Sequence, residues 1–493
     1  MQPIKNNTVI DVPLSDAEFD RFQHLTHERT GIFFGPRRRN ELQRHIHAIL
    51  KKQIAPDMNT LYQKLAQQKT NSPIWDCYID TIIVGETYFF REKLLFQALQ
   101  QKILPDIIAR HQKDKVLRIW SAGCSTGEEP YSLSILLDQL LGSEINLWRI
   151  FILATDINKP SLKKGIDGLY RKWSLRQTPE NIVLTYFQKE NELYRIRKDI
   201  QKRVMFSYLN LKDPVYPALS TCTHAMDLIL WRNVAIYLSD TVIADVLKRF
   251  YQCLLPLGYF NIGASEAGYM GETQFVSKQY SGTFIYQKLP IPQQSSPLPV
   301  YPVKNTTRPK KGLEFNKTFR FQTDPPKPKP KLAQQSILEM AQQSANIRNY
   351  SQAIAQYRSY LNKNSNDADV WYQLARVYAN SGDLAHAKEA CLSAIDHNPL
   401  LVEAYYISGL INEENGEIDE AIQDYKKTLY LQSDFVLAHY HLAMVYLQIK
   451  DDQQAERHRI HAIRILSRRS GDETLLDADD LTVAQLLAMI SQE

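Results

Sequence analysis

The sequence contains no apolar run long enough to cross a lipid bilayer. Its N-terminal segment, MQPIKNNTVIDVPLSD, is polar and lacks the apolar core of a signal peptide. Together these two absences predict a cytoplasmic protein with no membrane insertion.

Cysteine is scarce, with five residues in a chain of 493. The five are scattered and never form a C-x-x-C pair, which argues against a disulfide framework and against a zinc site. The 12 histidines show no metal-ligand spacing either. We therefore expect no bound metal.

Excess charge of one sign is confined to a single segment. The formal net charge is +5, but residues 289–331 hold nine Lys or Arg and two Asp or Glu, an excess of +7. The rest of the chain is therefore at −2, which is close to neutral. A nucleic-acid-binding protein is not indicated.

The same segment holds ten of the 23 prolines and ends in PPKPKPK. Proline fixes φ and removes a hydrogen-bond donor, so we predict an extended linker at residues 289–332. Such a linker predicts that few contacts join the two parts of the chain. A protein that lacks residues 333–493 is then expected to keep the fold of its N-terminal part and any ligand site there.

A 34-residue period follows the linker. Small and large apolar residues recur in four units over residues 333–467, in the pattern of tetratricopeptide repeats. The positions that match are Ala341, Ala353, Tyr357, Trp371, Leu374, Ala375, Tyr378, Ala387, Ala394, Pro399, Tyr405, Gly409, Ala421, Tyr425, His439, Leu442, Ala443, Tyr446, Ala455 and Ala462. We predict an all-α solenoid, and residues 468–493 should supply a capping helix and tail.

The N-terminal part is mixed. Residues 1–112 read as a helical domain, whereas residues 113–288 alternate apolar strands with helices. The five predicted strands are VLRIWSAG, WRIFILATDI, VMFSYLN, MDLILWRN and GYFNIGAS. Strand–helix alternation predicts a mostly parallel α/β sheet.

Polar residues mark the ends of these strands. The first strand runs into SAGCSTGEEPYS, where Gly123 would let a ligand approach the backbone. The second ends at Asp156, which suits a ribose diol or, alternatively, a helix N-cap. Asn210 and Asn233 end two further strands, and all these tips should line one crevice.

Five motifs, ETYFFRE, SAGCSTGEEPYS, ATDI, FSYLNL and WRNVAIYL, occur in this order along the chain. Together they resemble the CheR chemoreceptor methyltransferase family, and the resemblance spans roughly residues 15–287. It implies an N-terminal helical domain and a Rossmann-like methyltransferase domain with a small inserted β-subdomain, which we place at residues 170–204. In some relatives this insert binds a receptor-tail peptide, and the sequence does not say whether it does so here.

The resemblance implies S-adenosylmethionine as cofactor and S-adenosylhomocysteine as product. The implied cofactor-binding residues are Thr87, Arg91, Gly123, Glu129, Asp156, Asn210, Leu211, Asn233 and Val234. The implied catalytic residues are Arg91 and Tyr237, the latter beside the reactive methyl group. The family often has asparagine two residues before the threonine, where this chain has Gly85.

Arg91 has two interpretations. Its planar guanidinium could hold a carboxylate of substrate or cofactor, or it could form an ordinary salt bridge with Glu92 or Glu128. A second basic feature, Arg37, Arg38, Arg39, Arg44, Lys51 and Lys52, predicts a basic helix face. That face is either simply solvated or docks the acidic methylation region of a receptor.

These observations favour methyl transfer to glutamate side chains of methyl-accepting chemoreceptors, with the repeats binding an unknown protein or peptide. One alternative is a catalytically weak, cofactor-binding scaffold in a chemosensory pathway. Another, a small-molecule methyltransferase, is disfavoured because the repeats suit protein partners.

Overall fold

The structure is a computed structural model of the chain. It describes residues 13–70, 72–83, 85–271, 273–280, 282–289, 330–471, 473–475 and 481–490. Nearly all of the predicted linker, residues 290–329, lies outside the described residues.

An N-terminal group of helices precedes the sheet, as predicted. These helices are α1 Asp16–Thr30, α2 Arg39–Lys51, α3 Met58–Gln67, α4 Pro73–Ile82, α5 Lys93–Ala98 and α6 Leu104–Arg110. Ser15 and Glu18 form a capping box that fixes the start of α1. The first four helices bury Phe22, Trp75 and Tyr78 in a core of their own.

The α/β domain contains a seven-stranded sheet in the order β6-β2-β1-β7-β8-β10-β9. The strands of this sheet are β1 Val116–Ala122, β2 Arg149–Asp156, β6 Val204–Tyr208, β7 Met226–Trp231, β8 Leu254–Ile262, β9 Val276–Tyr280 and β10 Thr283–Gln287. The first five in spatial order are parallel, and β10 and β9 are antiparallel. All five predicted strands are present.

Helices flank this sheet, and a second, small sheet is inserted between β2 and β6. The helices are α7 Glu128–Leu141, α8 Lys159–Asp167, α9 Glu180–Tyr186, α10 Lys198–Gln201 and α11 Asp240–Cys253. The small sheet has the order β3-β5-β4, formed by β3 Leu169–Arg171, β4 Phe187–Glu190 and β5 Leu193–Ile196. It is the predicted β-subdomain.

The C-terminal part consists of paired helices, which confirms the repeats. They are α12 Pro330–Asn346, α13 Tyr350–Leu361, α14 Ala368–Asn380, α15 Leu384–His397, α16 Val402–Asn415, α17 Ile418–Leu431, α18 Val436–Gln448 and α19 Asp452–Leu466, followed by α20 Val483–Ile490. We call α12–α20 the repeat stack. At Gly409 an added Cβ would lie 2.5 Å from the Tyr425 ring, so this crossing admits only glycine. Within the described residues, no helix is both long and apolar enough to cross a membrane.

The expectation of few contacts between enzyme and repeats is wrong. Buried residues of the sheet, of the β6–β7 loop (residues 209–225) and of the repeat stack form one continuous apolar core. Arg118 on β1 and Glu414 near the end of α16 form an ion pair whose side chains are 9% and 15% exposed. Arg149 also donates to the Glu414 carbonyl oxygen at 3.0 Å. The repeat stack is therefore packed onto the enzyme, whatever the path of the linker.

Candidate active site

A cavity of about 250 Å³ opens at the carboxyl ends of β1, β2 and β7. Every residue that the sequence analysis assigned to the site lines it: Thr87, Arg91, Gly123, Glu129, Asp156, Asn210, Leu211, Asn233, Val234 and Tyr237. Thr30, the last residue of α1, and Ile32 line it as well. The N-terminal helices therefore help to form the cavity, which the sequence patterns did not indicate.

The turn after β1 brings two strand ends into contact. Gly123 has a φ of 80°, and a Cβ at this position would overlap the Val234 side chain. The amide groups of Gly123 and Cys124 both donate to the Thr155 carbonyl oxygen, at 2.7 and 2.9 Å. Glycine is needed here for its conformation and for the close approach of the two chains.

Asp156 is positioned by backbone amide groups. One carboxylate oxygen accepts from Ser125 N and the other from Asn158 N, both at 2.8 Å. Burial raises the pKa of Asp156, and these hydrogen bonds oppose that shift. The N-cap of α8 is Asn158, which accepts from Ser161 N, so the N-cap interpretation of Asp156 is wrong. The Asp156 carboxylate lines the cavity, where it is an acceptor within reach of a ligand hydroxyl.

A buried arginine, Arg232, holds the floor of the cavity. Its side chain is 2% exposed and donates to Glu129 at 2.7 Å, to Glu92 at 3.1 Å and to the Arg91 carbonyl oxygen at 2.9 Å. Ser121 donates to the other oxygen of Glu129 at 2.7 Å. The sequence analysis did not assign Arg232, although a basic residue that ends an apolar strand is itself a signal.

Asn233 presents a polar atom without a protein partner. Its φ of 59° is left-handed, and its backbone N–H donates to the fully buried Glu266 at 2.8 Å. The side-chain oxygen Oδ1 is buried and accepts no hydrogen bond from the described residues. A buried acceptor of this kind fits a ligand that carries an N–H or O–H donor.

Arg91 does not form the salt bridges that its alternative interpretation required. Glu92 pairs with Arg232, and Glu128 accepts from Thr126 and Ser174. The Arg91 guanidinium donates to the Glu86 carbonyl oxygen at 2.6 Å. Among the described residues no carboxylate is paired with Arg91, which leaves donors of its fork available at the cavity.

Tyr237 lies on a 3₁₀ turn, Ala235–Tyr237, that the N-terminal helical part holds in place. The Tyr237 carbonyl oxygen accepts from Phe33 N at 2.8 Å, and the Arg38 guanidinium lies 5.6 Å from the Tyr237 ring centroid. Burial raises the pKa of the Tyr237 phenol, so the hydroxyl stays protonated at neutral pH.

Gly85 and Asn210 both line the cavity, and each is close to another segment of the chain. A Cβ at Gly85 would lie 2.9 Å from Ser125 Oγ, so a larger residue would require the Ser125 hydroxyl to rotate away. The Asn210 side-chain amide donates to the Arg29 carbonyl oxygen and to Asp213, both at 3.1 Å. Asn210 therefore joins the cavity wall to the end of α1.

Comparison with known families and proteins agrees with this geometry. Residues 85–282 match the CheR methyltransferase, SAM-binding domain, and residues 338–399 and 372–434 match a tetratricopeptide repeat family. Chemotaxis protein methyltransferase 1 of Pseudomonas aeruginosa is 30% identical over 51% of this chain and 91% of its own.

Two other relatives define the range of the similarity. Chemotaxis protein methyltransferase of Salmonella typhimurium is 33% identical over 51% of this chain and 84% of its own. A Pseudomonas putida protein named probable biofilm formation methyltransferase WspC is 26% identical, but over 83% of this chain and 89% of its own. The similarity thus covers the enzyme in all three relatives and extends into the repeats in the last. The cavity fits S-adenosylmethionine as methyl donor, and the chain belongs to the CheR family of S-adenosylmethionine-dependent chemotaxis methyltransferases, in a form with C-terminal tetratricopeptide repeats.

Proposed function

We propose that the protein transfers a methyl group from S-adenosylmethionine to glutamate side chains of methyl-accepting chemoreceptors in the cytoplasm. The products are glutamate methyl esters and S-adenosylhomocysteine. The observation that carries the proposal is Arg91, a guanidinium at the cavity with no carboxylate partner among the described residues. A carboxylate substrate would supply that partner.

We propose the following roles in cofactor binding. The Asp156 carboxylate accepts from the two ribose hydroxyls, and the buried Oδ1 of Asn233 accepts from a cofactor N–H. Glu129, fixed by Arg232 and Ser121, offers negative charge to a cationic group of the cofactor. When bound, the cofactor supplies an electrophilic methyl group on a sulfonium.

The chain's own residues then need only to orient the substrate. A glutamate carboxylate has an unperturbed pKa of about 4.3, so it is ionised at neutral pH and requires no general base. Arg91 would hold one carboxylate oxygen and leave the other aimed at the methyl carbon. Tyr237, which stays protonated, would donate a hydrogen bond at the reacting carboxylate or its neighbour.

A basic surface beside the cavity supports a receptor as substrate. Arg38 pairs with Glu41 at 2.7 Å, and Arg39 pairs with Asp16, so these two cations are already engaged. Arg37, Arg44 and Lys51 are exposed. We propose that these three attract the acidic methylation region of a receptor.

We also propose a modular division of the chain. Residues 1–112 and 113–288 would form one catalytic unit around the cavity, residues 289–332 a linker, residues 333–467 the repeats, and residues 468–493 the cap and tail. The repeats would bind a protein partner through a surface not covered by the enzyme.

A second candidate function concerns the signalling pathway, not the chemistry. The relative named for biofilm formation matches 83% of this chain, which includes part of the repeat stack, whereas the chemotaxis relatives match about half. This favours a receptor of a biofilm-formation pathway as an alternative substrate for the same methyl transfer.

The test uses labelled S-adenosylmethionine and purified receptor cytoplasmic domains from the same organism. We expect base-labile methyl groups on the cognate receptor, and mass spectrometry should place them on glutamate. A panel that includes receptors of chemotaxis and of biofilm-formation pathways separates the two candidate pathways. Retained S-adenosylhomocysteine binding without methyl ester on any receptor would instead support the scaffold alternative.

A further inference from the structure

The repeat stack already holds a segment of this chain, the β6–β7 loop. Arg348, between α12 and α13, donates to the carbonyl oxygens of Pro214 and Pro217, both at 2.7 Å. Leu219 N donates to Asn380 Oδ1, at the end of α14, at 3.2 Å. Successive repeats thus contact successive residues of one loop, and most of that loop is buried.

This loop begins at the cavity. Asn210 and Leu211 line the cavity wall, and Asp213 follows two residues later. Asp213 accepts from Asn210 Nδ2 at 3.1 Å on one oxygen and from Gln485 Nε2 at 2.6 Å on the other. A hydrogen-bonded line therefore runs from α20, through Asp213, to the wall of the cavity.

The orientation of Gln485 is fixed by its own helix. Thr482 N donates to Gln485 Oε1 at 2.7 Å, and Gln485 N donates to Thr482 Oγ1 at 3.3 Å, which together form a capping box. With Oε1 engaged in this way, Nε2 must face Asp213. The amide therefore cannot rotate to offer an acceptor without losing the cap.

The backbone of the loop has separate support. Arg249 on α11 donates to the carbonyl oxygens of Leu211, Lys212 and Asp213, at 2.7 to 3.2 Å. The path of the chain at these residues is thus fixed from within the enzyme. What Gln485 adds is the orientation of the Asp213 carboxylate, which is one of three groups that hold the Asn210 side chain, beside the Arg29 carbonyl oxygen and Lys212 N.

We propose that Gln485 is a positioning residue for the cofactor cavity, so that the repeat stack completes the wall formed by Asn210. The inference rests on the proposed function and on the cofactor-binding role that the family resemblance implies for Asn210, which lines the cavity. It implies that a partner protein that shifts α20 would change the affinity of the enzyme for its cofactor as well as the location of the enzyme in the cell. The repeats would then act on catalysis from a distance without touching the cofactor.

The test is Gln485→Glu in the full-length protein. Glutamate is the residue that capping boxes prefer at this position, so the start of α20 is preserved. Burial raises the pKa of Asp213, so binding is measured at a pH high enough to ionise both groups, where the new carboxylate offers Asp213 no donor and repels it. We expect S-adenosylhomocysteine to bind about five- to tenfold more weakly by calorimetry, because a hydrogen bond to a charged group is lost and a like charge is introduced.

Adding Asp213→Asn to Gln485→Glu should restore binding to within about twofold of the wild-type affinity. The asparagine amide would donate to the new carboxylate, and its oxygen would still accept from Asn210. Gln423→Glu, on the exposed face of α17, is the matched control and should leave affinity unchanged. Destabilisation by Gln485→Glu that does not arise at the contact with Asp213 would not be reversed by Asp213→Asn.

Two results would overturn the proposal: wild-type affinity in a folded Gln485→Glu protein, or a loss that Asp213→Asn does not reverse. Asn210→Ala separates this failure from a failure of the proposed site. If Asn210→Ala weakens binding but Gln485→Glu does not, the wall is used and the repeats do not position it. Because the measurement is cofactor binding, it is independent of which receptor is methylated.

Discussion

At the residue scale, Asp156 is the strongest single determinant that we propose for cofactor binding. Asp156→Ala removes both acceptor oxygens, and a charged hydrogen bond contributes roughly 1.5–3 kcal/mol. We expect a corresponding loss of S-adenosylhomocysteine affinity by calorimetry. Asp167→Ala, at an exposed position on α8, is the matched control. Unchanged affinity in a folded Asp156→Ala protein would remove this residue from the site.

Arg91 permits a second test at this scale. Arg91→Lys keeps the charge but loses the planar fork that can grip a carboxylate with two N–H groups. We expect the variant to fold and to bind cofactor, yet to lose turnover by roughly tenfold or more in a receptor methylation assay. Arg44→Lys, on the exposed face of α2, changes the same group where only charge should matter. Near wild-type turnover in Arg91→Lys would mean that Arg91 is structural.

At the scale of elements, one ion-paired histidine joins a helix to the sheet. His111, just after α6, bonds to Asp227 on β7 at 2.8 Å, and Asp227 also accepts from Arg118 N. The hydrogen bond that His111 donates to the Asp227 carboxylate is the main cause that raises the pKa of His111 to about 9. The pKa of histidine in an unfolded chain is about 6.5. At a pH between about 6.5 and about 9, the folded state therefore keeps a proton on His111 that the unfolded state loses.

The sign of the pH dependence follows from this. A raised histidine pKa stabilises the fold fully below the unfolded pKa, and the stabilisation is lost as pH rises from about 6.5 through about 9. We expect the thermal midpoint of the wild-type protein to fall over this window more steeply than that of His111→Gln. Parallel midpoint curves for the two proteins would contradict the linkage.

The sequence predicted most elements because their signals are local. The five strands are short apolar runs bounded by turns, and β1 and β7 are buried at almost every position. The repeats follow from small residues such as Gly409, whose spacing reflects the crossing of paired helices. The ten site residues were predicted through the resemblance to the CheR family, because each of them lies in one of the short contiguous motifs that carry that resemblance.

What the sequence did not reveal depends on distant pairs. Arg118 and Glu414 are separated by 296 positions, and neither lies in a periodic pattern that would indicate a partner. Thr30 and Ile32 reach the cavity only because the end of α1 packs against the turn at Tyr237. Contacts between two domains leave no periodic pattern in the sequence. The proline-rich segment therefore wrongly indicated that the enzyme and the repeats make few contacts.

At the scale of the whole molecule, the docked repeat stack changes the expected result of truncation. Removing residues 330–493 would uncover the apolar residues of the β6–β7 loop that share a core with the stack. It would also remove Glu414, the carboxylate with which Arg118 pairs where the stack meets the sheet. We therefore expect a truncated protein that aggregates, melts at a lower temperature and binds cofactor more weakly than the full chain.

Two full-length variants separate the causes. Glu414→Gln removes the negative charge that pairs with Arg118 and should lower the thermal midpoint. A buried charge left without its partner costs up to about 3–5 kcal/mol. Glu414→Met combined with Arg118→Met replaces the pair with apolar side chains and should recover much of that loss. Glu417→Gln, one turn away at the start of α17 and paired with Lys388 within the stack, leaves the enzyme contact intact and serves as control. A truncated enzyme that stays monomeric, with the midpoint and cofactor affinity of the full chain, would show that the two parts are independent, because neither the ion pair nor the shared core would then contribute to the fold of the enzyme.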